Sequence, residues 1–314
     1  MADRWLVWAV LVIAGGWAGC DGGELQDAGP GSGDAARPPI EPPPDAEPPP
    51  RDASVPDGSV RDAAPQGSPD ASPPDAGSAD SGTGAPPLFA DGFESGDLSH
   101  TENGVEWCCN SVRVSDERAR SGRYSLRFAF GPDAPGEDSW AEQRVALGRP
   151  MTEVWVSYAL YVPPNYAHRS DSPSNNKFFA LYHAPYSRSG FSMNFTTWSQ
   201  GGGPSEVATT YAYERVWGGH VAARPDFMSG SAPGWKQITM HIAAESGPEG
   251  RDGVIQLWRD GESIIDIRDA RNWGGAGTNF FDEAYILGWA NSGFTENTVL
   301  FVDDVRISET PLAP

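Results

Sequence analysis

An abrupt change of composition near Leu88 limits what this chain can fold into. Residues 21–87 are mostly Pro, Asp, Ala, Gly and Ser and hold no aromatic side chain. Such a stretch cannot bury enough apolar surface to offset its ordering entropy, so a disordered linker is expected there. All nine tyrosines and nine of the twelve tryptophans follow it. The 314 residues would admit two domains by length. Their distribution leaves one, residues 88–314, a size ordinary for a single β-sandwich.

Within that domain, apolar residues recur at every second position in short segments broken by Gly, Pro, Asn and Asp. Ser125–Phe130, Val154–Val162, Asn176–His183, Ser192–Trp198, Thr209–Tyr213 and Lys236–Ile242 alternate in this way. So do Val254–Trp258, Ile264–Ile267, Ala284–Trp289 and Val299–Ile307. Period two over many segments, with no amphipathic helix, predicts an all-β sandwich. Gly131-Pro132-Asp133, Pro163-Pro164-Asn165 and Asp260-Gly261 supply turn residues between strands.

The formal charge is −21, shared almost evenly between residues 21–87 and the domain. A polyanionic linker of this kind repels itself and extends; as a simple coil it would average about 45 Å end to end. Its Pro-Asp-Ala units are too irregular for a solenoid. An acidic domain has no basic footprint, which excludes nucleic acid as a partner.

At the N-terminus Arg4 precedes the apolar run Trp5–Ala14, followed by Gly15-Gly16-Trp17-Ala18-Gly19-Cys20. A short basic region, an apolar core and small residues before a cut site describe a signal peptide, residues 1–19, too short to span a bilayer. The Ala-Gly-Cys ending resembles the lipobox of bacterial lipoproteins, apart from Trp17 where Leu is usual. The resemblance implies Cys20 as lipidated N-terminus, residues 20–87 as linker, and an exported protein lipid-anchored to the bacterial cell envelope. A plain secretory signal is the alternative.

Three segments, "FESGDLS" at Phe93–Ser99, "RSGRYSLRF" at Arg120–Phe128 and "LFVDDVRIS" at Leu300–Ser308, resemble concanavalin A-like and carbohydrate-binding jelly rolls. With "AEQRVALG", "EVWVSYALYVPPNY", "NNKFFALYH", "DGVIQLWRDGE" and "ILGWANSGF", the chain resembles bacterial and phage jelly-roll proteins related to polysaccharide lyases. The fold implied is a jelly-roll β-sandwich of two antiparallel sheets. Lectins, hydrolases, lyases and inert modules all share that superfamily, so the fold alone does not assign an activity.

The resemblance also implies a structural Ca2+ held by Glu94 and Asp303, with backbone carbonyls near Gly122 and Arg123. Alternation places Asp303 inward with Phe301, Val305 and Ile307, and a buried carboxylate must be neutralised. Oxygen ligands suit a hard cation; a salt bridge from Asp303 to Arg123 or Arg127 is the alternative. Cys108-Cys109 could be a strained vicinal disulfide or two thiols. There is no HExxH, no GxSxG and no ExDxxE strand, which argues against metalloprotease, serine-nucleophile and retaining-glucanase chemistry.

A polar and aromatic face remains for a polysaccharide. Sugar C–H faces stack on rings while hydroxyls bond to amides. The residues expected to bind are Asn176, Lys177, Arg188, Trp198, Tyr213, His241, Gln256 and Trp258. Polysaccharide binding by a monomer, in contact with the membrane only through its lipid, is the first reading. The second is a lyase acting by β-elimination on a uronate-containing glycan, with His183 and Tyr211 exchanging protons. The alginate-lyase motifs RxEL, QIH and YxKxGxYxQ are not met, "AEQR" at Ala141–Arg144 being only an echo of the first. A structural or adhesion protein is the third.

Overall fold

Alternation becomes packing in the strand Glu153–Val162, where Val154, Val156, Tyr158, Leu160 and Val162 are all buried in the core. The structure, a computed structural model, describes residues 86–108, 112–169, 174–184, 191–199, 206–213, 216–223, 227–273 and 279–314. At 174, 198, 199, 206, 208, 210–213 and 216–223 it describes the backbone alone. The signal segment, Cys20, the linker, Cys109 and Arg188 lie outside the described residues.

In chain order the strands are β1 (Phe89–Asp91), β2 (Thr101–Glu102), β3 (Val105–Cys108) and β4 (Arg113–Ser115). Then come β5 (Ser125–Phe130), β6 (Ser139–Met151), β7 (Glu153–Val162) and β8 (Ser174–Tyr182). β9 (Ser192–Ser199), β10 (Glu206–Tyr213), β11 (Val216–Ala223) and β12 (Gly234–Ala243) follow. The last are β13 (Gly253–Arg259), β14 (Glu262–Ala270), β15 (Phe281–Asn291) and β16 (Thr298–Ser308).

They form two antiparallel sheets, as expected for a jelly roll. The first has the order β14-β13-β12-β7-β16-β5-β4, with β1 also on β16, and the second β11-β10-β9-β8-β15-β6-β3-β2. Between them lies one apolar core that takes Val156, Leu160, Met240 and Leu257 from the first sheet, and Val145, Leu181, Phe195 and Ile286 from the second. Burying each such side chain is worth about 1.5–3 kcal/mol. Tyr158 crosses the sandwich, its hydroxyl donating to the Phe178 carbonyl at 2.8 Å. Burial pushes that phenol's pKa up, so it stays a donor.

The expected alternation fails in one strand. β16 shifts register between Asp303 and Arg306, and Asp304 has φ 51°. Leu300 and Val302 point into the core before this bulge, and Val305 and Ile307 after it. Phe301 packs edge-on against Tyr161, on the outer side of the first sheet. Asp303 therefore does not share the core face of Val305 and Ile307. It is fully buried all the same, because the loop Arg120–Tyr124 closes over it.

Candidate functional site

Three central strands of the second sheet present a polar outer face. In β6, Ala141, Val145 and Leu147 enter the core, leaving Trp140, Glu142 and Arg144 outside. In β15, Ala284, Ile286 and Ala290 enter it, while Tyr285 packs with Ala180 and Tyr182 of β8 in a separate small cluster. In β9, Met193 and Phe195 go inward, so Ser192, Asn194 and Thr196 belong to the outer face. All three are buried, and the hydroxyls of Ser192 and Thr196 have no hydrogen-bond partner among the described residues. Buried polar groups are normally satisfied, so unpaired hydroxyls on one face mark a place for ordered water.

Lys177 sits in this face, opposite Thr196 and beside a register shift that ends at Phe179. Burial lowers its pKa to about 8, against the opposing pull of Asp138 and Glu142. An amine so tuned can lose and regain a proton near neutral pH. Glu142 holds its neighbours in place: one oxygen accepts from Arg144 Nε at 2.5 Å, the other from Trp140 Nε1 at 3.3 Å. Gly288 makes room for them. Its φ is +134°, and a Cβ there would lie 2.9 Å from the Tyr285 ring and 3.4 Å from the Glu142 carboxylate.

The residues expected from sequence do not all meet. Asn176 and Lys177, being adjacent, fall on opposite faces. Asn176 is fully buried, and its amide donates to the core residue Tyr166 at 3.1 Å. It faces the core and not a glycan, which corrects the expectation. His183 follows the far end of β8, about 20 Å along the strand from Lys177 by strand rise. Its Nδ1 lies 3.1 Å from Asp282 Oδ2, and Phe280 flanks its ring at 4.5 Å. One sugar ring cannot touch both Lys177 and His183.

His241, Gln256 and Trp258 are on the outer face of the first sheet, so they cannot share a groove with Lys177. This too is a correction. His241 bonds Glu153 and Gln256 at 2.7 Å each and stacks on Trp155 at 4.2 Å. Gln256 donates to Asp266 at 2.6 Å, and the Trp258 ring lies 5.7 Å from that of Trp155. Two sheets carry similar alternating patterns, and period two does not say which sheet a strand joins. Trp198 stands opposite Asn175 and Glu206, Tyr211 opposite Met193, and Tyr213 opposite Val216. The side chains of these three lie outside those described.

Glu94 and Asp303 hold one loop from two sides. Asp303 accepts the backbone N–H groups of Arg120 (2.7 Å), Ser121 (3.2 Å) and Asp304 (2.7 Å). Glu94 accepts those of Arg123 (2.9 Å) and Tyr124 (3.0 Å). Gly122 is required between them, since a Cβ there would come within 2.4 Å of the Glu94 carboxylate. The alternative salt bridge is not formed: Arg123 pairs with Asp116 and Arg127 with Glu117. Oxygen donors suit calcium, but these oxygens already face the positive ends of N–H dipoles. Among the described residues, no three His, Cys, Asp or Glu side chains group to hold an ion.

Sequence reasoning missed Trp140, Glu142, Arg144, Tyr285 and Trp289. The signal was present in β6, where Ala141, Val145 and Leu147 alternate with the first three, but charged residues masked the period.

Residues 93–305 match the family model described as polysaccharide lyase. No curated protein matches the chain. Among solved structures, alginate lyase vAL-1 from Chlorella virus is 10% identical over 67% of this chain and 94% of its own, with a TM-score of 0.49. A mutant of alginate lyase Aly36B in complex with alginate trisaccharide is 12% identical over 72% and 99%, with a TM-score of 0.47. The cellulose-induced protein Cip1 is 17% identical over 72% and 99%, with a TM-score of 0.45.

Proposed function

Because the chain belongs to the polysaccharide lyase family that its residues 93–305 match, we propose that it cleaves a uronate-containing polysaccharide by β-elimination on the outer face of the second sheet. This reverses the order of the two readings that sequence suggested, in which binding alone came first. The observation that carries it is Lys177, an amine held near neutrality in a face of buried hydroxyls and amides.

In the reaction the C5–H bond of a uronate breaks, the C4–O bond to the leaving sugar breaks, and a C4=C5 double bond forms. Lys177 takes the C5 proton as base, and its ammonium then returns a proton to the leaving O4. Arg144, two residues past Glu142, supplies positive charge to the uronate carboxylate as C5 becomes acidic. Incubating the purified protein with a panel of uronate-containing polysaccharides tests the proposal. Ultraviolet-absorbing unsaturated ends are expected from at least one, and none from any would reject it.

The position of the centre has its own test. His183→Ala is expected to keep turnover, since His183 stands about 20 Å along the strand from Lys177. Loss of turnover with binding retained would move the centre to the His183–Asp282 pair.

Anchoring is a separate proposal that rests on the segment before Cys20. Cys20→Ala is expected to shift the protein from the membrane to the soluble exported fraction. Detergent-phase partitioning that ignores the substitution would remove lipidation.

A further inference from the structure

We propose that Asp138 is the counter-charge of Lys177, a positioning residue that stabilises the ammonium formed when Lys177 takes the C5 proton. The inference rests on the reading of Lys177 as the base.

Strand register brings the two into one patch. Across β8, β15 and β6, Asn176, Ala290 and Ser139 stand in one inward row. One step along, Lys177 comes level with Trp289 and Trp140 on the outer face. Asp138, one step the other way, returns to that outer face, and Glu142 lies on the far side of the Trp140 row. The sheet bulges here: Leu287, Gly288 and Trp289 of β15 stand against Lys177 and Phe178 of β8. A bulge re-aims the side chains beside it.

The Asp138 carboxylate is fixed without a substrate. Its Oδ2 accepts from Trp289 Nε1 at 2.6 Å and from the Asn291 amide at 2.9 Å. Its Oδ1 accepts the Ser292 backbone N–H at 2.8 Å. No cationic side chain is ion-paired with it among the described residues. His168 lies in its field but supplies no charge near neutrality, since burial pushes its pKa down to about 4. Glu142, the other acid acting on Lys177, is already ion-paired with Arg144 at 2.5 Å, and its pull is the weaker of the two. The remaining titratable groups of the neighbouring strands, Tyr182, Asp282, Glu283 and Tyr285, lie toward the His183 end.

Before the step Nζ is neutral. Afterwards it carries a positive charge, its lone pair bonded to the proton while the C5–H electrons stay on C5. A carboxylate already held in place favours the second state without reorganising.

Lys177 and Lys236 are the two lysines of the chain. Full-length protein made with ε-13C-lysine therefore gives two side-chain NMR signals, assigned with Lys177→Met. Asp138→Asn removes the charge and keeps an oxygen for the Ser292 N–H. It is expected to lower the midpoint of the Lys177 titration by about half a pH unit or more, and Asp138→Glu to restore most of it. Asp133→Asn is the structural control. Asp133 braces the same turn by accepting the Phe294 N–H at 2.8 Å, and its loss should leave the midpoint within about 0.2 pH unit. Turnover is read on polymannuronate or glucuronoxylan, whichever yields unsaturated ends. In Asp138→Asn the rise of kcat/KM should move down with the midpoint and kcat fall about threefold or more. KM should hold or fall, since one carboxylate fewer repels the anionic polymer. A midpoint that Asp138→Asn leaves in place, that Asp133→Asn lowers as much, or that Asp138→Glu fails to restore would each overturn the counter-charge. Asp138→Ser gives the same reading if the asparagine variant does not fold. If no unsaturated product forms but the midpoint falls as expected, the lyase reading fails and the charge pair stands. Product with an unmoved midpoint sinks the pair alone.

Discussion

Lys177→Met is expected to lower kcat by about 10²–10⁴-fold, the usual contribution of a positioned proton-transfer group. Binding should change much less, because the proton moves only in the transition state. The pH profile carries the sign. A base must be neutral to accept the C5 proton, so kcat/KM rises with pH through about 8 and levels off above it. Lys177→Arg keeps the charge but cannot release a proton in this range, so it should be as inactive as the methionine variant while still holding substrate. If both variants lose binding and turnover together, Lys177 anchors the carboxylate and does not move the proton. Removing Lys177 also relieves the cost of burying a cation. The methionine variant should therefore melt no lower than the wild type, which separates a catalytic defect from a folding one.

Strands were legible where apolar residues kept strict alternation. β5 runs over Ser125–Phe130 as expected, and β7, β12 and β13 match the expected segments within two residues at each end. β6 was not, although it is the longest strand at 13 residues. Half of its face carries Trp, Glu and Arg for a site and not for a core. The faces of β12 and β13 were read correctly, yet His241, Gln256 and Trp258 were joined to the wrong sheet. Strand order depends on pairings between segments as far apart as Phe89 and Ile307, and no local period encodes them. Asn176 failed for a related reason: being adjacent to Lys177 in sequence put it on the opposite face. Lys177 itself was named for its charge. What qualifies it is half-burial within the field of Asp138 and Glu142, and that exists only once β6, β15 and β8 lie side by side.

Asp303→Ala is expected to destabilise the domain by about 3 kcal/mol or more, since it leaves three backbone N–H donors without their acceptor. For a domain of this size that is a drop of roughly 6–12 °C in Tm. Asp304→Asn should cost much less. It keeps an acceptor for the Ser121 hydroxyl, now 2.6 Å from Asp304 Oδ1, and asparagine tolerates the positive φ. Asp303 also sets a pH dependence. Burial, outweighing the N–H bonds and helped by the Asp304 charge, raises its pKa from 3.8 to about 6. A carboxyl with a raised folded pKa contributes stability below its unfolded value and loses it as pH rises through the folded one. In chelator, the Tm difference between wild type and Asp303→Asn should therefore shrink from pH 3.8 to about 6. Calcium has the opposite signature, because it binds the ionised carboxylate. Its stabilisation would grow as pH rises through about 6 and vanish with chelator. A wild-type Tm at neutral pH that neither calcium nor chelator moves leaves the backbone N–H groups as the sole partners of Asp303.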